Sequence, residues 1–197
     1  MSPGYEGTHM PLTTLDPHTA LLVVDLQKGI VGDPVNPAFA SVVERARALI
    51  DTFRAHRLPV VLINVAGVAP GRTEQPMRVG GQLPAGFTDF IAELGRQPGD
   101  IVVTKRTRGA FPTTDLEARL KGLGVTQVVV VGVSTAAGVE STASQAYEAG
   151  FNVTLAIDAM ADARPEAHEY SIKNVFPRIG ETGRAQDVID LLNQRSA

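Results

Sequence analysis

Short uninterrupted apolar runs alternate with amphipathic segments along most of this chain. The clearest run is the four valines at residues 128–131, and similar runs begin at residues 19, 59, 100 and 151. Apolar runs without polar alternation are typical of strands that are buried on both faces, as in parallel sheets covered by helices. The pattern therefore predicts five strands of a mostly parallel sheet.

Between these runs, apolar residues recur at the spacing of amphipathic helices. Asn36 and Pro37 supply an N-cap and a proline at the first helical position, and the apolar stripe that follows continues to Phe53. Further helices are predicted at residues 87–94, from about Gly138 to Gly150 and at residues 165–176. Another follows a capping box at residues 114–117, with Leu116, Leu120 and Leu123 inward. A last helix follows residue 183, with Val188, Leu191 and Leu192 inward.

The order of these elements predicts the fold class. Strands alternate with helices without an internal repeat or linker, which indicates an α/β fold with a doubly wound, mostly parallel central sheet flanked by helices on both faces. Residues 1–17 are rich in Gly, Pro and Thr and show no periodicity, so we expect a flexible N-terminal leader. Residues 18–197 are then one domain.

Composition narrows the class of protein. A chain of 197 residues with 44% hydrophobic content is long enough for a sizeable core. Its net charge of −3, without long blocks of like charge, argues against nucleic acid and membrane partners. The sequence has no apolar run that could span a membrane and no signal pattern, so we expect a cytoplasmic protein. Because cysteine is absent, disulfides, thiolate metal sites and cysteine nucleophiles are excluded.

Two charged residues stand at the ends of predicted strands. Asp25 ends the first run and Lys105 ends the third, and the carboxyl edge of an α/β sheet is where ligands bind. After the fourth run, Ser134 leads into a helix with Gly138 at the tip of the turn, where free N–H groups suit a carboxylate or an oxyanion. The alternatives are that Asp25 caps a loop and that the glycine serves tight packing.

A long loop and a residue shortly after the first strand supply further candidates for substrate binding. The loop at residues 65–82 is long and rich in Gly and Pro, and its Arg72 and Arg78 could reach a ligand carboxylate or remain solvated. Gln27 lies two residues after Asp25 and could orient it or a water molecule, or simply belong to the loop.

Four segments together resemble the isochorismatase-like hydrolases, the superfamily that includes nicotinamidases and other cysteine hydrolases. They are LLVVDLQ, KRTRGAF followed by TDLEARL, GVSTAAGVESTA, and the Asp158-Ala159-Met160 triplet. The resemblance runs from about residue 19 to the C-terminus. It implies a Rossmann-like three-layer fold and a catalytic group of an aspartate base, a lysine and a cysteine nucleophile. These fall on Asp25, Lys105 and Gly138, and the glycine excludes a thioester intermediate.

Isochorismatases proper also carry glycine at this position. The resemblance therefore implies hydrolysis of the vinyl ether isochorismate to pyruvate, with Asp25 as the proton donor. A lysine about 4 Å from the aspartate would favour the ionised carboxylate by about 4 kcal/mol, equivalent to about three pKa units. Burial and a substrate carboxylate would push the pKa back up.

The resemblance has consequences for geometry and partners. It implies a cis peptide between Val133 and Ser134, with the N–H groups of Ser134 and Gly138 as a cradle for an oxyanion. No metal or other cofactor is expected. Nicotinamidases of this superfamily bind an ion through an aspartate and histidines shortly after the first strand, whereas His56 is the one histidine within residues 27–64. We expect His168 at the surface or in a cap. We expect a small anionic metabolite as the substrate and a homodimer or homotetramer. A non-catalytic metabolite-binding relative is the alternative.

Overall fold

The computed structural model of the chain describes residues 12–74 and 83–195. At its centre is a six-stranded sheet in the order β3-β2-β1-β4-β5-β6, with every pair of neighbours parallel. The α/β prediction is confirmed. The strands are β1 (Thr19–Val24), β2 (Val60–Val65), β3 (Ile101–Lys105), β4 (Gln127–Val133), β5 (Asn152–Ala161) and β6 (Glu181–Gly183).

Helices cover both faces of the sheet and complete a three-layer structure. They are α1 (Lys28–Val31), α2 (Ala40–Ala55), α3 (Leu116–Gly122), α4 (Glu140–Glu148), α5 (Pro165–Tyr170) and α6 (Ala185–Gln194). The apolar stripes of α2 and α6 pack on one face, and those of α3 and α4 pack on the other. None of the helices in the described ranges is long and apolar enough to cross a membrane.

The strand order reverses beside β1, which pairs with β2 on one side and β4 on the other. In doubly wound sheets the crevice at such a reversal is the usual place for a ligand. Gly132 allows the two strands to approach closely there, since a Cβ at this position would lie 2.1 Å from the carbonyl oxygen of Val24. Its φ of +118° also favours glycine.

The predicted helix at residues 87–94 is wrong except for a single 3₁₀ turn, Ala92–Leu94. The backbone before that turn forms only two turn hydrogen bonds of its own, Phe87 N–H to Pro84 O and Asp89 N–H to Gly86 O, and otherwise bonds to the chain after β1. Lys28 N–H donates to Asp89 O, Gly29 N–H donates to Phe87 O, and Gln27 forms a β-bridge with Phe90. This segment therefore closes over the end of β1.

Two smaller predictions need correction, and one strand was missed. The reciprocal capping box before α3 does not form: the Thr114 hydroxyl accepts from the Leu116 N–H at 3.2 Å, but the Glu117 carboxylate bonds to Lys121 one turn later. Leu123 is 52% exposed, since α3 ends one residue before it. The sixth strand, β6, was not predicted, and its three residues are too few to show a pattern.

The predicted leader divides into two parts. Residues 1–11 lie outside the described residues. Residues 12–17 pack against the domain: Leu12 and Leu15 are buried, and the Thr13 hydroxyl donates to Glu181 at 2.6 Å.

Candidate active site

Asp25 and Lys105 meet at the carboxyl edge of the sheet, although β2 separates their strands. The Lys105 Nζ donates to Asp25 Oδ2 at 2.8 Å, and the two side chains are 2% and 9% exposed. The ammonium also donates to the carbonyl oxygens of Thr107 at 3.4 Å and Arg108 at 3.0 Å. This buried ion pair is what the positions at the two strand ends predicted.

The environment of Asp25 raises the pKa of its carboxyl above the ordinary value. Burial raises the pKa of its carboxyl to about 6, while the charge and the hydrogen bond of Lys105 oppose that rise. The effect of burial on this pKa therefore exceeds the opposing effect of Lys105. The sequence alone did not decide which of the two effects would be larger. The second oxygen, Oδ1, is buried and has no hydrogen-bond partner in the described ranges. Asp25 thus has an uncommitted oxygen and a pKa that lets it exchange a proton near neutral pH.

Gly138 borders this carboxyl group. A Cβ at residue 138 would lie 2.8 Å from Asp25 Oδ2 and 3.1 Å from Val24 Cγ1. The glycine belongs to an irregular helical turn, Thr135–Val139, that joins β4 to α4 and that we call the site turn. Any side chain at residue 138 would therefore press against the ion pair.

The site turn is fixed by three residues that the sequence analysis did not select as site residues. The Ala136 N–H donates to Asp162 Oδ2 at 2.9 Å, and the Arg108 guanidinium donates to the Ala136 carbonyl. The hydroxyl of Thr135 and Nδ1 of His168 are 2.7 Å apart, so His168 does not merely lie at the surface. Asp162 directly follows β5, and we missed it because the predicted strand ended at residue 157 instead of 161.

Ser134 lies immediately before the site turn. Its peptide bond with Val133 is cis, as the resemblance implied. The Ser134 carbonyl accepts hydrogen bonds from the N–H groups of Ala137 at 3.0 Å and Val139 at 3.2 Å. Ser134 is thus part of the same turn as Gly138.

The other two candidates for substrate binding are placed differently. Gln27 is fully buried, and its amide bonds to the backbone of Val65 and Phe87 at 2.7 to 3.0 Å. Arg72 is exposed in the loop after β2 and forms no hydrogen bond or ion pair with Asp25 or Lys105, and Arg78 lies outside the described residues. The structure therefore brings together Asp25, Lys105 and Gly138, but not the side chains of Gln27 and Arg72.

Gln27 should matter for stability because of these contacts. We expect Gln27→Ala to lower the free energy of unfolding by about 2 to 4 kcal/mol, since it removes three hydrogen bonds and leaves the Val65 N–H without its partner. Urea unfolding measures this. The matched control is Gln186→Ala. Gln186 is an exposed residue of α6, and its replacement should change the free energy of unfolding by less than about 0.5 kcal/mol. Equal effects of the two substitutions would contradict the assignment.

Two cavities lie away from the ion pair. One of about 550 Å³ is lined by residues that include Asp158, His168 and Arg184, and one of about 480 Å³ lies around Gln127. Neither is lined by Asp25 or Lys105, so the site is identified by its chemistry and not by cavity size. The described ranges contain no cluster of three or more His, Cys, Asp or Glu side chains that could hold a metal ion.

Comparison with known proteins identifies the family of this chain. Residues 19–187 match the Isochorismatase domain family. The chain is 38% identical over 178 residues to the uncharacterized isochorismatase family protein YwoC of Bacillus subtilis (strain 168), covering 87% of this chain and 93% of that protein. It is 27% identical over 186 residues to a maleamate amidohydrolase of Pseudomonas putida, covering 88% and 86%.

A solved structure supports the same assignment. An isochorismatase family protein from Burkholderia thailandensis matches with a TM-score of 0.85 and 37% sequence identity, covering 91% of this chain and 98% of that one. Sequence and fold therefore agree. The chain belongs to the isochorismatase family and is a hydrolase of that superfamily.

Proposed function

We propose that this hydrolase acts on a small anionic substrate without a covalent intermediate, with Asp25 as general acid and isochorismate as the leading candidate. The observation that carries the proposal is a buried aspartate with a raised pKa that faces a glycine. Its carboxyl is buried with a pKa of about 6, and it faces Gly138, the position at which a nucleophilic side chain would begin. Such a site is suited to proton transfer instead of covalent attack.

The reaction follows from that proton. Asp25 donates it to the methylene carbon of the enol ether, forming a C–H bond and an oxocarbenium ion. Water adds to the cationic carbon and returns a proton to the Asp25 carboxylate. The resulting hemiketal breaks its C–O bond, which releases pyruvate and a dihydrodiol.

Lys105 has a supporting role in this scheme. Its ammonium stabilises the carboxylate that remains after proton donation, since it already bonds to Asp25 Oδ2. Its further bonds to the Thr107 and Arg108 carbonyls hold the charge in place through the catalytic cycle. A substrate carboxylate that shares this ammonium would weaken its pull on Asp25 and further favour the acid form.

Amide hydrolysis is the second candidate. It is favoured by the relative named maleamate amidohydrolase. In that case ionised Asp25 would act as a base that removes a proton from an attacking water molecule, because the chain has no cysteine. The two candidates require opposite protonation states of the same residue.

The pH dependence of turnover separates them. For isochorismate, we expect pyruvate release with a kcat/KM that falls about tenfold per pH unit above the Asp25 pKa of about 6, because the acid form is then depleted. Pyruvate is measured with a coupled dehydrogenase assay between pH 5 and pH 8. For maleamate, ammonia release should instead increase with pH and reach a plateau.

Controls make this test decisive. The coupling enzyme is assayed with added pyruvate at each pH, so that its own pH dependence is removed. Absence of pyruvate release at every pH would exclude isochorismate as the substrate. A rate that increases with pH would exclude Asp25 as the acid.

A further inference from the structure

The site turn and the segment after β3 are joined by Arg108. We infer that Arg108 is a specificity-determining residue whose guanidinium binds a carboxylate of the substrate beside the Asp25–Lys105 site. This inference rests on the proposed function and names the substrate group that would be recognised. It assigns a role to a residue that the sequence analysis had not selected.

Two hydrogen bonds place Arg108 beside the ion pair. Its carbonyl oxygen accepts from Lys105 Nζ at 3.0 Å, so its backbone contacts the buried ammonium directly. Its guanidinium donates to the carbonyl of Ala136, two residues before Gly138. The side chain therefore extends from the lysine to the site turn and is held in one orientation.

Among the described residues, no carboxylate neutralises the charge of Arg108. Within residues 12–74 and 83–195, no carboxylate lies within 4.0 Å of its guanidinium. Lys105 and Asp25 compensate each other, and the Asp162 carboxylate accepts from the N–H groups of Ala136 and Arg164. The Arg108 guanidinium, which contacts the site turn, is thus available to an anionic ligand.

The remaining donors of Arg108 suit a carboxylate. A guanidinium has five N–H groups in a planar fork that pairs with a carboxylate through two parallel hydrogen bonds. One nitrogen is committed to the Ala136 carbonyl, which orients the plane and reduces the entropy lost on binding. Arg108 is exposed, so a ligand can reach it. A substrate held there by its carboxylate would extend toward Gly138 and Asp25.

The test uses benzoate and benzamide, which have nearly the same shape but differ in charge. We expect wild type to bind benzoate more tightly than benzamide in ligand-observed NMR titrations. Arg108→Gln should weaken benzoate binding about tenfold and change benzamide binding by less than about twofold. Arg108→Lys should lie between wild type and Arg108→Gln, because it keeps the charge and loses the fork.

Arg106→Gln is the matched control. Arg106 is also exposed, lies in the same segment and donates to the Ala66 carbonyl at 3.0 Å. It should leave benzoate binding unchanged. If Arg108 only holds the site turn, Arg108→Gln will weaken benzoate and benzamide equally, which would overturn the inference. No preference of wild type for benzoate, or an equal loss in Arg106→Gln, would overturn it as well.

The proposed reaction can fail independently of this inference. Absence of pyruvate release together with an Arg108-dependent preference for benzoate would remove isochorismate and leave the carboxylate site. Pyruvate release together with no such preference would leave the reaction and remove the assignment of Arg108.

Discussion

Asp25→Asn should reduce kcat/KM for pyruvate release by about 10²- to 10⁴-fold, the range typical of a general acid. Asparagine has nearly the same size and shape as aspartate but cannot donate the proton that the enol ether carbon receives. The loss should be mainly in kcat, because the substituted side chain still fills the space next to Gly138. Initial rates of pyruvate formation at pH 6 measure the effect.

The control for this substitution is Asp115→Asn. Asp115 is exposed before α3, where it pairs with Arg119, and its replacement should leave the rate unchanged. Circular dichroism and a thermal melt of Asp25→Asn would show whether the domain is still folded. A folded Asp25→Asn protein with wild-type turnover would refute the assignment of Asp25 as the acid.

Lys105→Met should lower the free energy of unfolding by about 3 to 5 kcal/mol at pH 8, because it leaves a buried carboxylate without its counter-charge. The loss should be smaller at pH 5. Lys105 lowers the pKa of Asp25 against the effect of burial, so the substitution raises that pKa above about 6. The pKa of Asp25 in folded Lys105→Met is then further above its unfolded value of 3.8 than in wild type. At low pH the carboxyl is protonated in the folded state, and its burial without a counter-charge costs less.

The sign of this pH dependence follows from linkage. A carboxyl group whose pKa is raised in the folded state contributes its stability below its unfolded pKa and loses it as the pH rises through the folded pKa. Urea unfolding of wild type and Lys105→Met at pH 5 and pH 8 should show the gap between them widening with pH. Lys121→Met, which removes an exposed i,i+4 pair with Glu117, should cost less than about 1 kcal/mol at both values. A gap that narrowed with pH would contradict the raised pKa.

The sequence was sufficient to predict the α/β sheet and the meeting of Asp25 with Lys105. Apolar runs mark strands buried on both faces, and parallel strands place their carboxyl ends at one edge. Residues at those ends must therefore be near one another even when 80 positions separate them. The same rule would have found Asp162, had the end of β5 been located correctly.

Side-chain direction was less predictable. Gln27 stands two residues after Asp25, yet its amide is consumed by the backbone of Val65 and Phe87. Its contacts depend on the segment at residues 83–90, which folds over β1 without a helix. Spacing along the chain contains no information about such a partner, because the partner comes from a different loop.

By itself, the sequence determined the layer architecture, the family and the two charged residues at the carboxyl edge of the sheet, since these depend on periodicity, on motifs and on the order of elements. Only the tertiary structure decided that burial outweighs Lys105 and raises the pKa of Asp25 to about 6, and that Arg108 joins the site turn to the lysine. Desolvation and hydrogen-bond geometry depend on how segments distant in sequence pack together, and no local pattern of residues encodes that packing.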